Sequence, residues 1–417
     1  MKNICILILV CMSIKVGAQT STFSHADSLL AKGKYRLALA NLKSIDTLQD
    51  ISTYKVGNIY ASIDDYKNAI VFYKKSLEHT QSSKVQLSLA KAFHKVKKYK
   101  DAINIYETFL ETNADNLLIT YQLGKLYFSV NNLKKATEIF KILSEEDVTN
   151  PNYHYQLGLI AARKGDGNAM LDNFLNAYEV DKTHIKTVYQ LAKTFALIRK
   201  KDSSNLFIEK GLHLDSLHIN LNKLKINELY RDEKYNEAIS RLKMLDSLSP
   251  NDLYNKKMLG RSYFNIDSLN LAEANFKIAK IIDKEDFKIL TYLGHIYKAK
   301  KDSRKAMVSY LRATKVGAKE RSEEYFSLAT IYLERKEYSI AIKLLKKAVD
   351  ENIRKHKIKY QLAITSDSFY KDKKIAYNLY EGYLMLFEEK DKDITAFVKN
   401  RMKEIKKELF LKGEKVD

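Results

Sequence analysis

The tetrad Tyr121-Gln122-Leu123-Gly124 returns as Tyr155-Gln156-Leu157-Gly158, and again as Tyr189-Gln190-Leu191-Ala192, a step of 34 residues each time. A period of that length marks a supersecondary unit that cannot bury its apolar face alone, so the copies must stack. A small residue keeps the beat at Gly57, Ala90, Gly124, Gly158, Ala192, Gly260, Gly294, Ala329 and Ala363. Three residues later a bulky one follows, as at Tyr60, Phe93, Tyr127, Phe195, Leu229, Tyr263, Tyr297 and Tyr332. A second small position comes twelve residues after the first (Ala69, Ala102, Ala136, Ser204, Ala238, Ala272, Ala306, Ala341). A large apolar one lies four further on (Tyr73, Tyr106, Phe140, Phe174, Ile208, Leu242, Phe276, Tyr310, Leu345). Small residues let a second helix approach the first closely, and the bulky ones fill the gap between neighbouring units. Only 2 Pro and 13 Gly occur in 417 residues, which favours helix after helix with short connections.

This pattern resembles the tetratricopeptide repeat, over about residues 23 to 388. The resemblance implies an all-α, right-handed α-solenoid of about eleven helix-turn-helix units. Several positions depart from the family. Its Pro at the end of the second helix survives clearly only as Pro250, and its Trp is absent. The sixth unit, Lys186 to Asp215, carries Ser204 and Gly211 where Ala is expected. The eleventh, from Lys357 to about Glu388, needs one extra residue, and the first, from Phe23, is short. Ile394, Phe397, Val398, Ile405 and Leu409 then recur at helical spacing, predicting a capping helix over 393–412. The expected organisation is a signal peptide at 1–18, a solenoid at 19–388, and a C-terminal capping helix and tail at 389–417.

Lys2, an apolar run from Ile4 to Met12, and Val16-Gly17-Ala18 form an n-region, an h-region and a cleavage site after Ala18. The expectation is therefore an exported chain, periplasmic or envelope-associated, of Gram-negative bacterial type. Both cysteines, Cys5 and Cys11, lie in the removed segment, which excludes disulfides and thiol chemistry from the mature chain. No later apolar run is long enough to span a bilayer. The net charge of +21 comes from lysines spread along the chain among Asp and Glu, as on solvated helix faces. Without a continuous basic stripe, nucleic acid is not an expected partner.

No catalytic constellation stands out. His213 and His218 are five apart, outside any His-Glu-x-x-His helix, and no Walker, Gly-x-Ser-x-Gly or dinucleotide motif occurs. No metal site and no cofactor are expected. Gly165-Asp166-Gly167 reads as the turn between two helices. Five Asp-Ser/Thr-Leu triplets, at Asp27, Asp46, Asp215, Asp246 and Asp267, resemble an O-glycan acceptor of exported bacterial proteins; helix capping explains the same residues.

In the repeat family the first helices line a concave surface. The resemblance places Tyr121, Tyr155 and Tyr189 there, with Gln122, Gln156, Gln190, Lys125 and Lys193, as a peptide-binding groove. Tyrosine combines apolar area with a hydroxyl at low entropy cost, and glutamine can pair with a peptide backbone. Read as surface residues, the tyrosines are expected to tolerate truncation without loss of stability. Beyond residue 220 the same face turns basic, with Lys223, Asn227, Lys257, Arg261 and Lys288. This cluster resembles, in part, the carboxylate clamp of co-chaperone repeats, although Met258 and Tyr292 replace two of its positions. As like charges facing one concavity, these cations imply an anion. The expected function is a non-enzymatic scaffold binding a protein or peptide, acidic or with a free carboxylate. The alternative is an accessory protein of envelope polysaccharide or peptidoglycan.

Overall fold

A computed structural model describes residues 23–43, 50–316 and 320–414. The expected signal peptide and the triplet at Asp46 lie outside the described residues. The chain divides into two compact units, one up to Leu214 and one from Asp215.

The first unit holds six helix pairs: α1 (23–31) with α2 (Tyr35–Lys43), α3 (Asp50–Ser62) with α4 (Tyr66–Leu77), α5 (Ser83–Lys95) with α6 (Tyr99–Thr112), α7 (Leu117–Ser129) with α8 (Leu133–Glu146), α9 (Pro151–Lys164) with α10 (Gly167–Val180), and α11 (Ile185–Leu197) with α12 (Lys201–Leu214). The second holds five: α13 (Ile219–Arg231) with α14 (Tyr235–Leu248), α15 (Leu253–Asn265) with α16 (Leu269–Ile282), α17 (Phe287–Ala299) with α18 (Ser303–Val316), α19 (Ser322–Glu334) with α20 (Tyr338–Glu351), and α21 (His356–Phe369) with α22 (Lys373–Phe387). The final helix, α23 (Lys392–Leu411), follows. Eleven pairs among the described residues match the expected count, and within each unit successive helices pack on one another.

The 34-residue beat has a direct steric origin. A Cβ built on Gly158 would lie 2.6 Å from ring carbons of Phe174, and one on Gly260 would lie 2.7 Å from Phe276. Gly57 meets Tyr73, Gly124 meets Phe140 and Gly294 meets Tyr310 in the same way. Each ring lies sixteen residues after its glycine, on the second helix of the same pair. Where the later position is aliphatic, as at Ile208 and Leu345, the earlier one is Ala192 or Ala329. Ala90 with Tyr106 and Ile226 with Leu242 are exceptions. In the weak sixth unit, the buried Ser204 hydroxyl donates to the Ala192 carbonyl at 3.0 Å, so its polar group is satisfied inside the close contact.

Turns between paired helices also repeat. A residue seven places after the small one takes the left-handed conformation: Asp64, Lys97, Asn131, Arg199, Glu233, Asp267, Lys301 and Lys336, with φ of 57–63°. Gly165, at φ 78°, and Gly33, at φ 69°, are the glycines at this register among the described residues. Gly165 ends α9, and Asp166 then caps α10 by accepting from the Ala169 N–H at 3.0 Å. Gly165-Asp166-Gly167 is thus a turn, as its sequence implies. The next amide closes a Schellman-type bond, as from Asn132 to the Tyr127 carbonyl at 2.8 Å. A non-glycine residue pays for this conformation. Lys336→Gly and Glu233→Gly should therefore each stabilise by about 0.5–1 kcal/mol, after the larger unfolded-state entropy of glycine is subtracted. Calorimetric melting should show a rise for both and a fall for Gly165→Ala.

The last helix falls where the sequence placed it, within one residue at each end. It buries Thr395, Val398, Ile405 and Leu409, while Phe397, expected to join them, is 46% exposed and packs edge-to-face with Tyr360.

Candidate functional site

The first helices of the second unit are joined by a ladder with a 29-residue step. Asp252 caps α15, accepting from the Asn255 N–H at 2.9 Å through one oxygen. Its other oxygen lies 3.4 Å from Lys223 Nζ on α13. Asp286 repeats the arrangement on α17, capping through the Lys288 N–H at 2.9 Å and pairing with Lys257 on α15. A carboxylate has acceptor sites to serve both partners. In the first unit the cap of α11 is His184, and the residue 29 positions earlier is Tyr155, whose ring meets it edge-on at 5.5 Å. The residue three places before the small one is therefore matched to the next helix cap.

This corrects the expectation of a mutually repelling cluster, because Lys223 and Lys257 each face a carboxylate. Lys223 also lies 4.8 Å over the Tyr254 ring, and Asn227 accepts from the Tyr254 hydroxyl at 2.9 Å. Those two residues belong to one local arrangement around Tyr254. Lys257, Arg261 and Lys288 instead line a cavity of about 1230 Å³.

That cavity is walled chiefly by α15, α17 and the start of α19. The Arg261 guanidinium lies 4.5 Å from the Tyr230 ring and 5.8 Å from that of Tyr292, where cation–π attraction holds it. Its Nε is buried without a hydrogen-bond partner among the described residues. Tyr292 stacks on Phe276 at 5.0 Å. His295 bridges two elements, with Nδ1 2.8 Å from the Tyr310 hydroxyl and Nε2 3.1 Å from Glu323. The His295 contact outweighs burial and holds the Glu323 carboxyl below its usual range. Burial pushes the Tyr310 hydroxyl well above its ordinary value. Thr291 Oγ1 stands 2.6 Å from Glu324 Oε1, while Glu324 Oε2 has no partner among the described residues.

Sequence reasoning missed Tyr230, Thr291, Glu323 and Glu324. Thr291 was legible, since it holds the register of Tyr155 and Lys257. The two glutamates stand about one turn earlier than the expected row, in the first turn of α19.

In the first unit the tyrosine row is half-buried. Tyr121 packs edge-on against Phe140 at 5.7 Å and lies 6.0 Å from Tyr153, with Lys125 over its face at 5.6 Å. Tyr155 packs against Phe174 at 5.9 Å. Tyr189, Gln122 and Gln190 are likewise half-buried, and Lys193 is exposed. Gln156 is only 8% exposed and reaches the Tyr121 hydroxyl at 3.4 Å, which removes it from the row of residues open to a peptide. The rings bear on the core, so truncation is not neutral. Tyr121→Ala should lower stability by about 1–2 kcal/mol, below the roughly 3–5 of a fully buried aromatic and above an ordinary surface change. Urea unfolding monitored by circular dichroism measures it.

Among the described residues no group of three His, Cys, Asp or Glu is placed to hold a metal ion, and no helix is long and apolar enough to cross a membrane.

Residues 53–79 and 93–161 match models described as tetratricopeptide repeat, and these segments are α3–α4 and the run from α5 into α9. These two segments carry tetratricopeptide repeats, a kind of repeat that generally serves as a protein-binding scaffold. Comparison with curated proteins gives no match. Among solved structures, yeast Tom70 is similar at 16% identity and a TM-score of 0.42, covering 94% of this chain and 96% of that one. Cut9–Hcn1 of the APC/C hetero-tetramer is similar at 13% identity and a TM-score of 0.42, covering 89% and 95%. MamA from Desulfovibrio magneticus RS-1 is similar at 19% identity and a TM-score of 0.38, covering 40% and 94%.

Proposed function

We propose that this chain is a non-enzymatic, exported scaffold that holds a segment of another protein against the first helices of its second unit. The cavity lined by Lys257, Arg261, Lys288, Tyr292 and Glu324 carries this reading. It joins aromatic area to two buried charged-group atoms, Arg261 Nε and Glu324 Oε2, that have no hydrogen-bond partner among the described residues, the composition expected of a surface completed by a ligand. Arg261 and Lys288 suit an acidic group or a chain-terminal carboxylate on that segment. Tyr121, Tyr155 and Tyr189, with Gln122, Gln190, Lys125 and Lys193, supply a further contact row in the first unit. Export is supported by Lys2, the apolar run after it and the small residues up to Ala18.

The test is photo-crosslinking in the native cell from position 288, on the cavity rim, against position 343, on an exposed face of α20. A discrete adduct from position 288 and none of the same mass from position 343 is the expected result. Identical adducts from both would show adhesion to charge alone and contradict the reading. Mass spectrometry of the purified protein should find a chain beginning at Gln19; an intact N-terminus would contradict export.

A further inference from the structure

We infer that the cavity of the second unit reads charge of both signs, seating a basic side chain of its partner segment on the α19 wall and an acidic group on the α15 wall. This rests on the reading of the chain as a scaffold for a protein segment, and deepens it.

Lys257 and Arg261 stand on α15 and Lys288 on α17, whereas the carboxylates Glu320, Glu323 and Glu324 stand just before and on α19, with Lys355 also in the lining. Part of this charge is already met within the chain, Lys257 by the Asp286 carboxylate and Glu323 by contact with the His295 ring. The buried polar atoms of the lining left without a partner among the described residues are Arg261 Nε and Glu324 Oε2. An acidic group of residues says little alone, but Glu324 is only 2% exposed and its Oε2 has no partner among the described residues. A carboxylate oxygen taken out of water in that state is costly, and a donor arriving from the cavity it lines would relieve the cost. The opposite wall poses the same problem with the sign reversed. Arg261 lies on two ring faces, reaches no carboxylate among the described residues, and buries an unpartnered Nε. Phe264 on the α15 wall and Tyr292 on α17 line the cavity and offer apolar faces for the stems of side chains.

Spacing narrows the class of partner. Helix α17 touches α15 and, through Thr291 and Glu324, α19. Packed helix axes stand about 8–10 Å apart, so the two walls are about 16–20 Å apart at their axes. Side chains from both walls and from the ligand take up part of that span. An extended strand rises about 3.3 Å per residue, so a Lys or Arg about three to five residues from an Asp or Glu fits. Reversing their order would lay like charge on like. The partner is therefore an extended, charge-paired segment bound in one direction, rather than a purely acidic one.

The experiment pans a random twelve-residue peptide display library against the full-length unaltered protein at low salt. Enriched peptides should pair a basic with an acidic residue at that separation and in one order, with the reverse order at least tenfold rarer. Panning against Glu324→Gln, which keeps shape and loses charge, should drop the basic preference at least tenfold and keep the acidic one. Arg261→Met should do the converse. Enrichment of acid-only peptides, of peptides without a charge pattern, or of none at all by the unaltered protein would overturn the proposal, whether or not either variant folds. Crosslinking from position 288 would still decide the scaffold reading by itself.

Discussion

Arg401→Ala is expected to destabilise the second unit by about 3 kcal/mol and to release α23 to proteolysis. The helix has 20 residues and buries four, so apolar contact alone holds it weakly. Its main attachment is polar. Arg401 donates to both oxygens of Asp367 on α21, at 2.7 and 3.2 Å, and its remaining nitrogen reaches Glu404 at 2.7 Å and Glu408 at 3.1 Å. Asp367 is 8% exposed, and it also accepts from Lys373 at 3.0 Å and from the Tyr380 hydroxyl at 3.3 Å. Removing one member of a buried pair costs about 3–5 kcal/mol, because the other charge is left buried. Lys373 remains, which places this case at the low end. The same pair makes stability depend on pH. Burial alone would raise the Asp367 carboxyl, but hydrogen bonds from Arg401 and Lys373 outweigh it and hold it below the usual value of 3.8. A carboxyl lowered by folding stabilises above its unfolded value, and that contribution disappears as pH falls through the folded value. The gap between the original protein and Arg401→Ala, measured by urea unfolding, should therefore be widest at neutral pH and shrink below about pH 4. A gap that is constant with pH would mean that Asp367 is not its source.

The second large effect is expected at the glycine-to-ring contacts. Gly158→Val should destabilise by about 3 kcal/mol, at the upper end for overpacking a close-packed core. Its Cβ alone would fall well inside contact distance of Phe174, itself 1% exposed and unable to swing away. Alanine at the same site recovers about 1 kcal/mol of helix propensity and should be milder. The decisive variant is Gly158→Ala with Phe174→Leu, which reproduces the pairing of Ala329 with Leu345 elsewhere in the chain. A double-mutant cycle should return a favourable coupling of about 1–2 kcal/mol. Additive losses would show that the two residues do not meet in solution.

The helix pairs were legible because their cause is local. A small residue and a large one sixteen residues apart on paired helices leave a mark that a single sequence displays repeatedly, and even the weak sixth unit keeps it with Ala192 and Ile208. The site was legible only in part. Lys257, Arg261 and Lys288 were placed on one face by register, and the structure brings them to one cavity. Register does not reveal what neutralises a charge, so nothing in the sequence singled out Asp252 and Asp286, each of which caps a helix and holds a lysine 29 residues earlier. Gln156 was misread for a similar reason. Its repeat neighbours Gln122 and Gln190 are half-buried at the same offset, but Gln156 turns toward Tyr121 and is buried, a choice made between units that no period encodes. Glu324 was missed because a buried carboxylate on a helix looks, in sequence, like any exposed one.

Hydrogen exchange of the chain, alone and bound to the segment captured from position 288, tests the central claim most directly. A segment lying in the cavity should slow exchange along α15, α17 and the first turns of α19, and leave α16, α18 and α20 unchanged. Protection on those second helices, with α15 and α17 exchanging as in the free protein, would contradict it.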